Sequence, residues 1–438
     1  MTSRDDRTTA QPVERGFLVG AVIRGSRPLI PIEDSLDELE LLARTAGIEV
    51  NGRASQNMAH VDPATFIGSG KAEEIKGSVE NLEDNVVIFD DELSPRHQRE
   101  LEKVFGDDIK VLDRSALILD IFAQHANTRE GALQVELAQY EYRLPRLTRQ
   151  WTHLARQTGG GGGRGGSAGV GLRGPGETQL EADRREIGRR ISKLKEELEA
   201  VRAHRGRHRA QRVRLGMPVV ALVGYTNAGK STLLNALTGA DVYAADQLFA
   251  TLDPTTRRLT LPGGKVALFS DTVGFIQKLP TTLIAAFRAT LEEVLEADIL
   301  IHVVDVSHPN AEAQIETVED TLAEIEMPRV PRILALNKID RVKDGIPQFA
   351  AQKEYGAVVP LSALKRTGLD QLLVEVERQL AENMVPINME LPYSRGDLVS
   401  LIHDFGIVED EQHTDSGVTI RGRVPPRLLA RLQSSHSP

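Results

Sequence analysis

Short apolar runs alternate with amphipathic segments over the first 130 residues of the chain. Phe17–Ile23 has the length of one strand, and Leu36–Ala46 places apolar residues at helical spacing. Alternation of this kind predicts a parallel sheet covered by helices. The other predicted elements are a helix that starts at Gly68-Ser69-Gly70-Lys71 and ends near Leu82, a strand at Val86–Phe89, a helix at Pro95–Phe105 and a strand at Ile109–Leu112.

Two heptad seams follow, and a glycine-rich segment separates them. Residues 158–177 between the seams contain eleven glycines. Spacings of three and four predict two helices that pack along one stripe, here as an antiparallel hairpin with arms about 30 Å long. Pro145 should kink the first arm. The first seam comprises Leu133, Leu137, Tyr140, Leu144, Leu147, Trp151 and Leu154, and the second comprises Leu180, Ile187, Ile191, Leu194, Leu198 and Val201.

The alternation of strands and helices returns after residue 215 and continues to about residue 380. The rest of the chain predicts a small α+β unit, because short strands again alternate with helices there. The predicted strands of this last unit are Asn388–Leu391 and Val418–Arg423, and its predicted helices are Asp397–Phe405 and Pro426–Leu432.

Composition and charge narrow the class of protein. No apolar run is long enough to span a membrane, and the first six residues are polar, so neither a membrane span nor a signal segment is expected. The absence of cysteine fits a cytoplasmic protein. The net charge of −10 is unevenly distributed along the chain, because residues 141–215 hold 18 Lys/Arg and 8 Asp/Glu. A basic segment inside an acidic chain predicts a local polyanion site.

Residues 224–231 have the G-x-x-x-x-G-K-[ST] spacing of a phosphate-binding loop. The loop follows an apolar strand, Val219–Val223, and precedes a helix, Ser231–Leu237, which is the context that the motif requires. Glycine permits the turn around the phosphates, Lys230 brings charge to the β- and γ-phosphates, and Ser231 offers a hydroxyl to Mg²⁺. The expected contacts are Gly224, Tyr225, Thr226, Asn227, Ala228, Gly229, Lys230 and Ser231.

Two later segments indicate guanine as the base. The carboxylate of Asp340 can accept hydrogen bonds from the N1–H and N2–H₂ groups of guanine, a donor pair that adenine lacks. The stem of Lys338 should pack along the base. A strand at Ala357–Pro360 leads to a segment that resembles the one in Ras-like GTPases whose backbone N–H meets guanine O6. The residues concerned are Asn337, Lys338, Ile339 and Asp340, and Ser362, Ala363 and Leu364.

A fourth motif predicts how the metal and the γ-phosphate are held. The strand Val266–Ser270 ends in Asp271, Thr272, Val273 and Gly274. Asp271 stands where Ras-like GTPases hold Mg²⁺ through water, and Gly274 stands where their backbone N–H meets the γ-phosphate, so this resemblance implies the same roles here. Phe275 stands where Ras-like proteins commonly carry the Gln that orients the attacking water. We therefore assign no catalytic residue and expect slow hydrolysis until a partner or another residue completes the site.

Together these patterns predict an α/β multidomain protein. The expected domains are an N-terminal parallel-sheet α/β domain at 1–130 and a helical hairpin at 131–215 with its glycine-rich loop at 158–177. A Ras-like P-loop G domain at 216–381 and a small C-terminal α+β domain at 382–438 follow. Four signatures in order, each at the carboxyl end of a predicted strand, predict a GTP-binding site in the third domain.

The chain resembles the HflX GTPases, ribosome-associated members of the Obg–HflX group. Beside the motifs above, the segments that carry the resemblance are Gly68–Ile75, Gln134–Tyr140, Gly159–Gly163, Gly174–Thr178, Phe249–Asp253 and Asp271–Ile276. The resemblance implies Thr251 as the switch I threonine that meets Mg²⁺ and the γ-phosphate, with Thr255 and Thr256 as nearby alternatives. The implied nucleotide contacts in this segment are Phe249, Ala250, Thr251, Leu252 and Asp253.

The same resemblance implies partners and an activity. The expected partners are the large ribosomal subunit with its rRNA and GTP, and the expected activity is the splitting of stalled or idle ribosomes by a monomeric GTP hydrolase. It also implies nucleotide and RNA binding by the N-terminal domain, where we find no phosphate loop. Gly68-Ser69-Gly70-Lys71 is better interpreted as a turn, and Asp90-Asp91-Glu92 as a solvated acidic loop than as a metal site.

Two functional classes stay open at this point. One is a GTP-driven factor that splits ribosomes, and the other is an assembly protein in which GTP gates docking on rRNA. A Ras-like signalling switch would explain neither the hairpin nor the glycine-rich segment. That segment is either a flexible linker or an RNA-contacting tip that carries Arg164 and Arg173.

Overall fold

The structure is a computed structural model that describes residues 14–25, 28–147, 175–214, 217–239, 248–249, 254–279, 294–343 and 345–434. The described residues fall into two compact units. One draws on residues 1–124 and 138–189, and the other on residues 125–137 and 190–438. The domain boundaries after residues 130, 215 and 381 stay predictions. Within the described ranges, no helix carries an apolar stretch long enough to cross a bilayer.

The N-terminal region forms the predicted parallel sheet. Its four strands lie in the order β2-β1-β3-β4, and every neighbouring pair is parallel. Apolar residues of β1, β3 and the helices form one buried core on this sheet. The elements are β1 Glu14–Ile23, α1 Ile32–Thr45, β2 Ile48–Met58, α2 Ser69–Leu82, β3 Val86–Phe89, α3 Pro95–Phe105, β4 Lys110–Asp113 and α4 Arg114–His125.

Two of these elements were not predicted. β2 alternates between half-buried and exposed residues and contains Asn51-Gly52, which is typical of a turn. Its polar composition follows from its place at the edge of the sheet, where one partner strand suffices. α4 begins at Arg114, directly after the last residue of β4, so no loop residues mark its start.

Asp90 corrects one interpretation of the sequence, because it is completely buried rather than part of a solvated loop. It follows β3 directly, and its carboxylate accepts a hydrogen bond from the Ser35 hydroxyl at 2.8 Å. The guanidinium of Arg114, also buried, pairs with Asp90 at 2.7 Å and contacts Glu38. Asp90 therefore belongs to a buried ion-pair network at the carboxyl ends of the strands.

Gly68 lies directly before α2, and Ser69–Lys71 belong to the first turn of that helix. The backbone N–H of Gly68 donates to the side-chain oxygen of Gln56 at 2.9 Å, and Lys71 pairs with Glu74. Across the described ranges, no group of three or more His, Asp or Glu side chains is arranged to hold a metal ion.

The helical region contains parts of both predicted arms, α5 at Arg129–Arg143 and α6 at Pro175–Arg214. Glu136 pairs with Arg190 and Arg129 with Glu197, so the two helices run antiparallel where these pairs meet. Four residues of the predicted seams are buried there: Leu133, Leu137, Leu194 and Leu198. Pro145 lies in a single 3₁₀ turn, Leu144–Arg146, that ends α5 instead of kinking it.

The predicted seam positions Trp151 and Leu154 lie outside the described residues, as does the glycine-rich segment up to residue 174. The sequence-based interpretation of this loop therefore stays a prediction.

A six-stranded sheet carries the phosphate-loop motif. Its order is β10-β9-β8-β5-β7-β6, and all pairs are parallel except β6 with β7. The central strands are entirely buried, as expected for a parallel sheet covered by helices on both faces. The elements are β5 Val219–Val223, α7 Lys230–Thr238, β6 Thr255–Thr260, β7 Val266–Asp271, β8 Ile299–Asp305, α8 Ala311–Glu324, β9 Arg332–Asn337, β10 Ala357–Pro360 and α9 Leu369–Glu382.

The C-terminal residues form the predicted small α+β unit. A three-stranded antiparallel sheet in the order β11-β13-β12 packs two helices against one face. β12 was not predicted, because its centre is the acidic run Glu409-Asp410-Glu411, which lacks strand-forming residues. The elements are β11 Val385–Pro392, α10 Gly396–Phe405, β12 Ile407–His413, β13 Gly417–Val424 and α11 Pro426–Ser434.

Arg427 of α11 forms an ion pair at the foot of β5. Its guanidinium lies 3.0 Å from the carboxylate of Asp298, which also accepts the backbone N–H of Val219 at 2.8 Å. Burial raises the pKa of Asp298, and Arg427 opposes the shift by favouring the charged carboxylate.

Replacing Arg427 with Met should lower the free energy of unfolding by about 1–2 kcal/mol, because a desolvated carboxylate loses its cation. Urea unfolding of the full chain measures this loss. Arg421→Met, at an exposed position of β13, is the matched control and should change stability by less than about 0.5 kcal/mol. Equal effects of the two substitutions would contradict a role for the Arg427–Asp298 pair.

Candidate nucleotide-binding site

The described residues of four predicted motifs, 224–231, 271–274, 337–340 and 362–364, lie at one edge of the six-stranded sheet. Four parallel strands end there: β5 at the phosphate loop, β7 at Asp271, β9 at Asn337 and β10 just before Ser362. β5 is central, with β7 on one side and β8 on the other. Ligands of open α/β sheets bind at such a point, beyond the carboxyl ends of strands whose connections run in opposite directions.

The phosphate loop makes a tight turn between β5 and α7. Gly224 has φ +150°, and a Cβ atom there would lie 2.3 Å from the carbonyl oxygen of Val303, so only glycine fits. The Lys230 ammonium donates to the carbonyl oxygens of Gly224 at 3.1 Å and Tyr225 at 2.8 Å. Burial lowers the pKa of Lys230 to about 8, and nearby Asp271 opposes the shift. A buried ammonium at the start of a helix favours an anionic ligand.

Ser231, a predicted Mg²⁺ ligand, lies beside Asp271, which is predicted to hold the ion through water. The Ser231 hydroxyl donates to the Asp271 carboxylate at 2.6 Å, and Asp271 is fully buried. The neighbouring Thr272 hydroxyl donates to the Leu222 carbonyl at 2.6 Å, which fastens the end of β7 to β5. A carboxylate and a hydroxyl at this separation suit Mg²⁺, which prefers oxygen ligands.

The predicted base-binding residues surround a cavity of about 230 Å³. Asn337 connects two loops, because its amide donates to the Ala228 carbonyl at 2.9 Å and accepts the Ala363 N–H at 3.0 Å. The Asp340 carboxylate accepts the Ser362 hydroxyl. The cavity is lined by Asn227, Gly229, Thr232, Asn337, Lys338, Asp340, Arg341, Ser362, Ala363 and Leu364.

Three residues of this region were not predicted from the sequence. Asp305, the last residue of β8, pairs with Lys338 at 2.7 Å, and the Lys338 ammonium also donates to the Asn227 carbonyl at 2.8 Å. Thr232 and Arg341 line the cavity. The rule that ligands bind at the carboxyl ends of parallel strands could have found Asp305, whereas no signal in the sequence marks the other two.

Phe275 is fixed by backbone hydrogen bonds to the phosphate loop. Its N–H donates to the Gly224 carbonyl at 3.1 Å, and its carbonyl accepts the Thr226 N–H at 2.8 Å. Its side chain is buried, with 3% of its surface exposed. The Tyr225 hydroxyl accepts the N–H of Gln277 at 2.9 Å. The segment after Gly274 is thus fastened to the loop at residues 275 and 277.

The structure describes some of the remaining predicted contacts and not others. Val273 is buried, Ile339 is half-buried, and Leu364 is largely exposed at the rim of the cavity. Phe249 is buried. Thr256, one alternative to Thr251, lies near the start of β6. Its hydroxyl forms a hydrogen bond with the Ser270 hydroxyl, 3.2 Å away. Outside the described residues lie Ala250, Thr251, Leu252 and Asp253.

The fold and this site define a P-loop GTP-binding α/β domain within a larger chain. Models of three protein families match successive parts of it. Residues 33–123 match the family described as GTP-binding GTPase N-terminal, residues 125–212 match the GTP-binding GTPase middle region, and residues 219–338 match the 50S ribosome-binding GTPase family.

Curated relatives cover almost the whole chain. A protein of Caldanaerobacter subterraneus named GTPase HflX is 44% identical over 97% of this chain and 94% of its own length. A protein of the same name from Escherichia coli is 43% identical, over 90% of each chain. A crystal structure of a GTP-binding protein from Sulfolobus solfataricus in complex with GDP is 24% identical, covering 84% of this chain and 98% of that one, with a TM-score of 0.43.

These sequence matches place the chain in the HflX family of GTPases. The resemblance noted from the motifs is therefore confirmed, and the chain is a GTP hydrolase with GTP as substrate and GDP as product.

Proposed function

We propose that this GTPase binds the large ribosomal subunit and uses GTP to dissociate stalled or idle ribosomes. The observation that carries the proposal is the net positive charge of residues 141–215, a segment that includes α6 and directly precedes the GTP-hydrolysing domain along an otherwise acidic chain. Positive charge of this density is suited to the phosphates of rRNA. The match of residues 219–338 to a family described as a 50S ribosome-binding GTPase supports the same partner.

The proposed roles of the site residues follow their positions. Asp340 recognises guanine through two accepted hydrogen bonds, and Lys338 covers the base. Lys230 and the N–H groups of the phosphate loop hold the β- and γ-phosphates, and the Gly274 N–H meets the γ-phosphate. Ser231 and Thr251 are the proposed Mg²⁺ ligands, with Asp271 acting through water. Mg²⁺ bound there would neutralise charge on the phosphates.

Hydrolysis requires a positioned water, and the Phe275 side chain offers no polar group to hold it. We therefore propose that the chain turns over GTP slowly alone and faster on the ribosome. We further propose that it acts as a monomer in the cytoplasm.

An alternative is a GTP-gated assembly factor that docks on rRNA during maturation of the large subunit. The basic helical segment suits both functions, but only the first requires separation of assembled subunits. Sedimentation of assembled ribosomes with the purified protein in GTP, GDP and a non-hydrolysable analogue distinguishes them. Separate subunits with GTP or the analogue, and intact ribosomes with GDP, are the expected result. Ribosomes that stay intact in every nucleotide, together with a hydrolysis rate that ignores ribosomes, would contradict the proposal.

The glycine-rich loop is proposed as the part that contacts rRNA, with Arg164 and Arg173 as its cations. Replacing residues 159–176 by a short Gly-Ser turn should leave GTP affinity intact while ribosome-stimulated hydrolysis weakens and splitting is abolished. Arg164→Gln with Arg173→Gln keeps the loop length and should reduce the salt dependence of binding by about one unit of slope for each phosphate that the loop no longer neutralises. Normal splitting by the shortened protein would make the loop a linker and move the rRNA contact to the helix around Arg184, Arg185, Arg189 and Arg190.

A further inference from the structure

Thr226, the third residue of the phosphate loop, carries a polar group that the assignments above do not use. Its side chain is 7% exposed, and its hydroxyl is buried with no hydrogen-bond partner in the described part of the chain. Its backbone N–H already donates to the Phe275 carbonyl at 2.8 Å. A buried hydroxyl without a partner destabilises the folded protein, so its presence calls for an explanation.

Thr226 lies where the γ-phosphate is proposed to bind. Gly274 packs against it so closely that a Cβ atom on Gly274 would be 2.8 Å from Thr226 Cα. The same Cβ atom would be 3.1 Å from Nζ of Lys230. Three residues therefore border one small volume, and two of them, Lys230 and Gly274, are the proposed donors to the γ-phosphate. The Thr226 side chain is the third border: the same Cβ position lies 3.0 Å from its methyl carbon Cγ2, so a rotation about χ1 brings the hydroxyl to this volume.

We infer that the Thr226 hydroxyl donates a hydrogen bond to a γ-phosphoryl oxygen of GTP and is a catalytic residue in hydrolysis. Water forms a bond to the γ-phosphorus, the bond to the β–γ bridging oxygen breaks, and its electron pair leaves with GDP. The protons of the attacking water are shared between inorganic phosphate and solvent. The hydroxyl keeps its own proton throughout and stabilises the charge on the equatorial oxygens.

This role explains how the site can retain a polar group near the reaction when residue 275 is Phe. The hydroxyl does not take over the role of the Gln that Ras-like proteins commonly carry at position 275, because it contacts a phosphoryl oxygen and not the attacking water. The inference rests on the phosphate site proposed above.

The test compares Thr226→Val, which keeps the shape and removes the hydroxyl, with Thr226→Ser, which keeps the hydroxyl. In the full-length protein, the Val variant should be at least as stable as the parent and should bind a fluorescent GDP with unchanged affinity. It should bind a non-hydrolysable GTP analogue several-fold more weakly and hydrolyse GTP about 10–100-fold more slowly in single turnovers, the effect of losing one hydrogen bond to a charged group. The Ser variant should stay within about threefold of the parent rate, since it keeps the donor.

Two results would overturn the inference. One is a Val variant that hydrolyses GTP at the parent rate, and the other is an equal loss of affinity for GDP and the GTP analogue, which would indicate a packing role. Lys230→Ala is measured in parallel and should lose affinity for both nucleotides. If that variant binds GDP normally, the proposed phosphate site itself fails, independently of the result for Thr226.

Discussion

Changing Asp340 to Asn is expected to lower GTP affinity on the order of a hundredfold or more and to make XTP the better ligand. The carboxylate is the proposed acceptor for two guanine donors, and an amide there turns one acceptor into a donor. Xanthine carries an oxygen at C2 and can accept that hydrogen bond. A guanine base bound against Asp340 would cover its carboxylate, and a mismatched polar pair covered in this way costs about 2–3 kcal/mol, which corresponds to this loss. Titration of the variant with GTP and XTP measures the exchange.

Two controls separate base recognition from loop order. Ser362→Ala removes the hydroxyl that donates to Asp340 and should weaken GTP and XTP to a similar, smaller extent. Asp370→Asn makes the same chemical change at an exposed position at the start of α9 and should leave both affinities unchanged. An Asp340→Asn variant with parental GTP affinity would refute the assignment of the base site.

The second large effect is expected in the N-terminal region, from Arg114→Met. Arg114 and Asp90 are both buried, and the substitution leaves the Asp90 carboxylate without the guanidinium 2.7 Å away. Breaking a buried ion pair by removing one partner costs about 3–5 kcal/mol. Because the chain has more than one compact unit, hydrogen exchange of peptides that cover β3 is the suitable measurement.

Matched variants identify the source of the loss. Adding Asp90→Asn to Arg114→Met removes the uncompensated charge and should restore part of the protection of β3. Arg53→Met breaks an exposed pair with Asp37 in the same region and should cost less than about 1 kcal/mol. Comparable losses from Arg53→Met and Arg114→Met would show that burial of the pair is not the cause.

Local patterns predicted most of the fold and the composition of the site. The phosphate loop, Asp271 and Asn337 could be found because each motif occupies a few consecutive residues at the end of an apolar strand. The strands that end in these motifs are β5, β7 and β9. β5 and β7 are neighbours in one sheet, and β5 and β9 share the neighbour β8, so the carboxyl ends of all three lie at one edge. Parallel pairing in the N-terminal sheet was predicted for the same reason, from the alternation of strands and helices.

What escaped prediction depends on partners that are distant along the chain. β2 and β12 lie at sheet edges and have polar compositions, so only pairing with β1 and β13 reveals them as strands. Asp90 resembled a solvated acid because its ion partner Arg114 lies 24 residues further on. Lys338 was assigned to the base from its motif, but its pairing with Asp305 required the three-dimensional arrangement.

The hydrogen bonds that hold Phe275 to the phosphate loop use only main-chain atoms of that residue. Any amino acid other than proline can make the same two bonds, so the side chain at this position is under the selection that acts on a protein core. Saturation mutagenesis at residue 275 should therefore rank substitutions by size and hydrophobicity, with large apolar residues tolerated and Asp, Lys and Gly rejected. Over evolutionary time, this position could drift among apolar residues while the polarity of the reaction centre stayed constant.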